Sequence, residues 1–132
     1  MSNELLFESL TYSVIGVCYQ VQNELGGGLL EKSYQKALVM GLQNKGLKVK
    51  EQVKIPIYFQ QQLMTTGYAD FMVEGQLLLE IKRSPIFNRQ HIQQLENYLT
   101  SSNLPIGLLI HFGSDRVRIK RVINKAYFNA LK

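Results

Sequence analysis

The apolar residues of this 132-residue chain recur with two different periods. In the N-terminal third they lie three or four positions apart, which predicts helices that each bury one face. From Leu47 onward the spacing is mostly two, which predicts strands. In chain order the predicted elements are helices over about 2–25 and 29–45, strands over 47–59, 63–73 and 76–83, a helix over 89–101, strands over 106–112 and 116–122, and a helix over 124–131.

Capping and turn residues mark where these elements begin and end. Ser2 or Asn3 can cap the first helix, and the three glycines at 26–28 favour a turn between the first two helices. Pro56 indicates an edge position or a bulge in the first strand. The order ααβββαββα predicts one domain over residues 1–132, of the α/β (α+β) class, in which helices flank a central mixed sheet of about five strands.

The cysteine content and the two ends of the chain bear on the compartment. Cys18 is the single cysteine, so the chain can form neither an internal disulfide nor a structural zinc site of cysteines, which fits a reducing cytoplasm. The first residues lack the basic stretch of a signal peptide, and the longest apolar run, 104–110, is too short to span a bilayer. We therefore expect a cytoplasmic protein with no membrane partner.

Positive charge is in excess, with a formal net charge of +5 and a pI of about 9.4. On the last predicted strand Arg116, Arg118 and Lys120 alternate with Val117 and Ile119, so one face is basic and the other apolar. Such a stripe suits a surface that follows phosphates, and it equally suits a solvated sheet surface. The charge favours a polyanionic partner without establishing one.

The stretch 68–83 places charges inside strands that are otherwise apolar. Glu80 and Lys82 interrupt an apolar run at a spacing of two, so they share one face of the strand. A carboxylate in an apolar sheet is costly unless it pairs with a cation. Asp70, on the preceding strand, supplies a second carboxylate. These residues are therefore the candidate chemical centre.

The turn between these two strands decides whether Asp70 reaches Glu80. A two-residue turn at Glu74 and Gly75 would place Asp70 opposite Leu79, on the other face of the sheet. A three-residue loop with Gly75 at positive φ shifts the register by one residue and brings Asp70 and Glu80 to the same face. The functional interpretation requires the longer loop or a bulge.

Each candidate residue also has a structural interpretation. Glu80 and Lys82 can form a buried salt bridge that leaves Asp70 in solvent. Glu31, in the first turn of the second helix, is a favourable charge at the positive end of the helix dipole. Tyr98 can be a core aromatic residue and Gln94 a surface amide.

Several motifs together resemble the PD-(D/E)XK nuclease superfamily, and over nearly the whole chain the sequence is similar to a small bacterial and archaeal family named for its GxxExxY motif. That motif is GLLEKSY at 28–34, and the further matches are YADF at 68–71, VEG at 73–75, LEIK at 79–82, His91, and QLENY at 94–98, the last of which resembles the QxxxY element of RecB-like nucleases. Ala69 stands where the superfamily name has proline.

The resemblance implies a restriction-endonuclease-like core and a role for each matched residue. A metal site would be built from Asp70 and Glu80, with Glu31 as a further acid, and the preference of hard cations for oxygen ligands adds the Ile81 carbonyl. Lys82 would lie at the catalytic water. Gln94 and Tyr98 would lie near the substrate, and His91 precedes Gln94 by three residues on the same helix face.

Elementary chemistry agrees with this assignment. Hard oxygen ligands suit Mg²⁺ or Mn²⁺, and such an ion activates bound water and offsets the charge of a phosphodiester. We therefore expect a metal-dependent nuclease that acts on DNA and recognises backbone or structure rather than sequence. The alternatives are a module that keeps the nuclease fold only to bind nucleic acid or protein, and a small-molecule phosphoesterase. An exposed edge strand makes a homodimer a further expectation.

Overall fold

The computed structural model describes residues 7–132, so the expected cap at Ser2 or Asn3 lies outside the described residues. Its elements are α1 Glu8–Leu25, α2 Glu31–Asn44, β1 Val49–Phe59, β2 Gln62–Val73, β3 Leu77–Ile81, α3 Arg89–Ser102, β4 Ile106–Phe112, β5 Val117–Ile123 and α4 Lys125–Ala130. The predicted order is confirmed, with bounds that differ by a few residues. Between residues 7 and 132, no helix has the length and hydropathy needed to cross a bilayer.

The five strands form one sheet in the order β1-β2-β3-β4-β5. Strands β3 and β4 are parallel and the other neighbours are antiparallel, so the sheet is mixed, as predicted. A parallel pair needs a crossover connection, and α3 supplies it between β3 and β4. The expected edge position of β1 is confirmed, and its pairing with β2 shifts register after Ile57.

Helices cover both faces of the sheet and create two apolar cores. The first core joins α1, α2 and α4 to one face, and includes Val17, Leu38 and Leu79. The second core joins α3 to the other face, and includes Leu78, Leu95 and Leu109. Because β3 lies in the middle of the sheet, all five of its residues are buried.

The hairpin formed by β1 and β2 changes faces part-way along its length. Val49 and Phe71 pack against the first core, whereas Val53 and Ala69 pack against the second. Regular alternation would keep Val49 and Val53 on one face. The change coincides with Gln52, whose φ of 50° is left-handed, at the level of Asp70 between two paired positions. The outer hairpin therefore turns towards α3.

The loop between β2 and β3 has the length that the functional interpretation requires. Val73 pairs with Leu77 and Phe71 with Leu79, which leaves three loop residues, 74–76. Gly75 has a φ of 66°, a conformation that favours glycine, and Glu74 is also left-handed at 54°. Continuing this register by one step places Asp70 opposite Glu80. Of the two turn lengths that the sequence left open, the structure has the longer one, which the functional interpretation requires.

Candidate active site

Asp70 and Glu80 lie side by side on neighbouring strands, on the face of the sheet covered by α3. Asp70 is half-buried, and its Oδ2 accepts a hydrogen bond from the backbone N–H of Ile81 at 2.7 Å. This bond turns the carboxylate towards β3 rather than into solvent. In a strand the N–H and C=O of one residue point to the same side, so the Ile81 carbonyl also faces the β2 side.

Glu80 is an acid held in an environment that disfavours its charge. Its side chain lies in a central strand, and the residue is only 6% exposed. Burial, followed by the nearby charge of Asp70, raises the pKa of Glu80 to about 8, whereas Lys82 acts in the opposite direction. Among residues 7–132 the ion pair found is that of Glu31 with Arg83, so the alternative of a buried Glu80–Lys82 salt bridge is not observed.

Glu31 is the first residue of α2 and faces a different partner. Its Oε2 lies 2.9 Å from Nε of Arg83, just beyond the end of β3. Both residues line a cavity of about 360 Å³, together with Lys82 and His111. Within the described part of the chain, no three His, Cys, Asp or Glu side chains come together as a metal-binding group. The structure thus pairs Asp70 with Glu80 and leaves Glu31 with Arg83.

The loop before α2 is held in place by Tyr34, a role that periodicity alone did not reveal. The Tyr34 hydroxyl donates to the Gly26 carbonyl at 2.7 Å and accepts from the Leu29 N–H at 3.2 Å. The ring stacks on Phe112, with centroids 5.0 Å apart. These contacts fix the start of α2 against the end of β4, and so position Glu31 at the rim of the cavity.

Helix α3 brings Tyr98 to the carboxylates. Tyr98 is buried, and its pKa is raised first by burial and then by the charges of Glu80 and Asp70. Its ring lies against Gly67 of β2, where a Cβ would come within 2.6 Å of the hydroxyl. Gly67 is therefore a residue of the site that sequence reasoning missed, because only contact with a distant helix gives it this role.

The other two α3 candidates lie nearer the N-terminus of the helix. Gln94, one turn before Tyr98, is exposed and lines a groove shared with the β1–β2 hairpin. His91 is half-buried, and its Nδ1 is enclosed without a hydrogen-bond partner in the described residues. Its backbone N–H donates a hydrogen bond to the side-chain oxygen of Asn88, the N-cap residue of α3.

Basic side chains lie beside the acids at the ends of the central strands. His111 Nδ1 lies 2.9 Å from the backbone carbonyl of Lys82, and His111 pairs with Arg118 across β4 and β5. One further step of the β3–β4 register places Lys82, His111 and Arg118 in a row. This row is suited to binding an anion next to the carboxylate pair.

The donor set of the pair fits a hard divalent cation. Two carboxylates in contact, one of them buried and lacking an ion-pair partner among residues 7–132, repel each other unless a proton or a metal ion lies between them. Together with the Ile81 carbonyl they offer the oxygen ligands that Mg²⁺ and Mn²⁺ prefer. Asp70, Glu80 and Ile81 are therefore the residues that would hold such an ion.

Comparison with known proteins gives the fold a family. Residues 8–122 match the family model of the PD-(D/E)XK nuclease superfamily. The crystal structure of SSO0001 aligns with a TM-score of 0.58 at 18% identity, over 96% of this chain and 65% of that one. This chain thus spans about two thirds of the length of SSO0001. No curated protein gave a significant match.

A second solved protein has the same fold. It is the alkaline exonuclease LHK-Exo from Laribacter hongkongensis, which aligns with a TM-score of 0.50 at 11% identity, over 86% of this chain and 79% of that one. Its complex with dAMP aligns at 0.51 and 10% identity, over 92% and 85%. The restriction-endonuclease-like core is thereby confirmed. Since the family match covers most of the elements that build the site, this chain belongs to the PD-(D/E)XK nuclease superfamily.

Proposed function

We propose that this protein is a divalent-metal-dependent nuclease that hydrolyses phosphodiester bonds in DNA and recognises backbone or structure rather than sequence. The observation that carries the proposal is the contact between Asp70 and buried Glu80, which lacks an ion-pair partner among the described residues. A pair that serves only the fold would be expected to have a cationic partner, whereas a metal site leaves that place for the ion.

Asp70, Glu80 and the Ile81 carbonyl would hold Mg²⁺ or Mn²⁺. When bound, the ion supplies an activated water and a positive charge at the phosphate. Lys82 positions the attacking water and offsets the phosphate charge. Glu31, at the rim of the cavity, would reach the ion directly or through a water molecule. Burial, and then the charges of Glu80 and Asp70, raise the pKa of Tyr98, so its hydroxyl would serve the substrate as a hydrogen-bond donor.

Recognition in this proposal depends on charge and shape. Arg118 lies in the row that leads from Lys82 through His111, and this row would contact phosphates. Gln94 and His91 would contact the substrate from α3. We further propose that the protein is cytoplasmic, which is consistent with the unpaired thiol of Cys18. This thiol is buried, and burial raises its pKa to about 12. The open edge of β1 is where a homodimer would form.

One specific observation favours a second candidate, a nuclease-fold module that binds nucleic acid or protein with little turnover. Glu31 is engaged by Arg83, and within residues 7–132 no three acidic, histidine or cysteine side chains gather as a metal site. A site with two carboxylates would hold a metal ion more weakly than one with three. Binding would then persist without efficient cleavage.

The test is a cleavage assay with purified protein. Single-stranded, duplex and branched DNA, and RNA, are incubated with Mg²⁺, Mn²⁺ or EDTA, for wild type and Asp70→Asn. Asparagine keeps an oxygen that can accept the Ile81 N–H but loses the charge, so the variant separates chemistry from folding. Asp115→Asn, at the other aspartate of the chain and in an exposed turn, is the matched control.

The nuclease proposal requires cleavage that depends on metal, is lost in Asp70→Asn and is retained in Asp115→Asn. Binding without cleavage, weakening as salt rises, selects the binding module. Cleavage in EDTA rejects the metal dependence, and equal cleavage by both variants rejects the assignment of Asp70.

A further inference from the structure

The groove between the β1–β2 hairpin and α3 has an unusual lining for a nucleic-acid enzyme. Its volume is about 460 Å³, and none of the described side chains that line it is charged. One wall is α3 and the other is the outer hairpin near Ile57, Thr65 and Thr66. This is the part of the hairpin beyond the change of faces, and its β2 residues lie past the three that pair with β3.

The α3 wall is a stripe of amides. Its side chains come from Gln90, Gln93, Gln94 and Asn97. These positions are three, four and seven residues apart, so they form one face of the helix. Tyr98 continues the stripe one turn after Gln94, towards Glu80 and Asp70. Tyr98 therefore links the groove to the carboxylate pair.

The chemistry of this lining matches nucleobases better than phosphates. Each amide offers two donors and an acceptor, and each threonine hydroxyl both donates and accepts. Such groups pair with the polar edges of bases, whereas phosphates are bound chiefly through charge. The basic side chains that would bind phosphate lie elsewhere, at Lys82 and on β5. In a duplex the pairing edges of the bases are already occupied, but in a single strand they are free.

We propose that this groove holds one unpaired DNA strand by its bases and leads it to the carboxylates, an inference that rests on the nuclease function proposed above. Gln93, Asn97, Thr65 and Thr66 would then be substrate-binding residues in addition to Gln94. The substrate would be a single strand, or the unpaired end of a duplex.

The proposal is tested by comparing a DNA strand with an abasic strand of the same length, by fluorescence anisotropy in EDTA. Wild type should bind the base-bearing strand roughly ten-fold tighter, as expected for a few lost hydrogen bonds. The variant Gln93→Ala/Asn97→Ala, at two exposed positions, should bind both strands alike. Gln43→Ala, an exposed amide on α2, is the matched control and should keep the difference.

Other outcomes would overturn the proposal. Equal binding of the two strands by wild type would do so without any variant, and so would tighter binding of duplex. An equal loss on both strands in the double variant would mean that the groove contacts the backbone. An RNA strand bound more tightly than DNA would reject the choice of DNA. Metal-dependent cleavage without a preference for bases would reject the role of the groove but leave the nuclease function in place. A complete lack of binding and cleavage, with every nucleic acid tested, would reject the nuclease function as well.

Discussion

At the scale of single residues, the buried acid of β3 is the least expected feature of the chain. Glu80 lies in a strand whose other four residues are apolar and buried. A proton on Glu80 relieves both its burial and its contact with Asp70, which is the physical reason for its raised pKa. A bound cation would relieve the same strain, so the proton and the metal ion would compete for one place.

This competition predicts a pH-dependent stability. Because the pKa of Glu80 is about 8 in the folded protein and 4.5 as a free side chain, the folded state keeps a proton that the unfolded state has released. Its contribution to stability is therefore complete below pH 4.5 and is lost as the pH rises through 8. The free energy of unfolding in EDTA should fall by a few kcal/mol between pH 5 and 8, with a slope of about 1.4 kcal/mol per pH unit.

Chemical denaturation at several pH values measures this effect. Glu80→Gln, which stays neutral, should flatten the profile, and Mg²⁺ should flatten it for wild type. Glu24→Gln, at an exposed acid of α1, should leave the slope as it is. An unchanged slope in Glu80→Gln would show that Glu80 is not the group responsible.

Gly67 carries a second prediction at this scale. A Cβ at this position would lie 2.6 to 2.8 Å from the hydroxyl and ring of Tyr98. Gly67→Ala should therefore lower the free energy of unfolding by about 1–3 kcal/mol and displace Tyr98, with loss of cleavage. Gly16 is an exposed helix position where, apart from its own helix backbone and chain neighbours, no described atom would lie within 4 Å of an added Cβ, so Gly16→Ala should instead raise stability by about 1 kcal/mol.

Thermal melting and the cleavage assay together check the role of Gly67. If the contact with the ring is the cause, Tyr98→Ala should make the added cost of Gly67→Ala much smaller, because the cavity accommodates the methyl group. Additive losses in the double variant would mean that Gly67 is needed for another reason.

At the scale of elements, periodicity predicted the order of helices and strands because each element buries one face. The length of the loop 74–76 was only partly predictable, because the sequence allowed a turn of two or three residues and only the functional interpretation required three. The change of faces at Gln52 could not be predicted, because a glutamine in the left-handed conformation has no distinctive sequence signal. The pairing of Glu31 with Arg83 could not be predicted either, because the two residues are 52 positions apart and their contact depends on how α2 docks beside β3.

The tip of the hairpin offers a prediction at this scale. Phe59 pairs with Gln62, which leaves a two-residue turn of Gln60 and Gln61, both left-handed, at φ 49° and 68°. Such turns favour Asn-Gly, and glutamine adopts this conformation at a cost. The variant Gln60→Asn/Gln61→Gly should raise the free energy of unfolding by about 1 kcal/mol.

Urea denaturation measures this difference. Gln60→Val is the opposing control, because a β-branched residue is still less suited to positive φ, and it should destabilise the protein. A double variant no more stable than wild type would mean that the turn does not limit the hairpin.

At the scale of the whole molecule, three surfaces meet on the face of the sheet that α3 covers. The carboxylate pair lies in the middle, the amide groove lies on the side of β1 and β2, and basic side chains lie on the side of β5. Arg118 and Lys120 are exposed and pair with His111 and Leu109 on the inner strand. A DNA strand held by its bases in the groove would thus have its phosphate backbone near the two carboxylates and the basic side chains of β5.

Because the bases and the phosphates would be bound by different surfaces, affinity and its salt dependence should be separable by mutation. Arg118→Ala/Lys120→Ala removes two charges that would contact phosphates, so the slope of log affinity against log salt should become shallower by roughly 1.4 for single-stranded DNA. Lys32→Ala/Lys36→Ala, which removes two exposed lysines from α2, should change the slope little. Gln93→Ala/Asn97→Ala should weaken binding at every salt concentration without changing the slope, because it removes no charge. Anisotropy titrations from low to physiological salt measure all three variants. If the amide variant changed the slope and the β5 variant did not, the phosphates would run through the groove, and the assignment of bases and backbone to the two surfaces would be reversed.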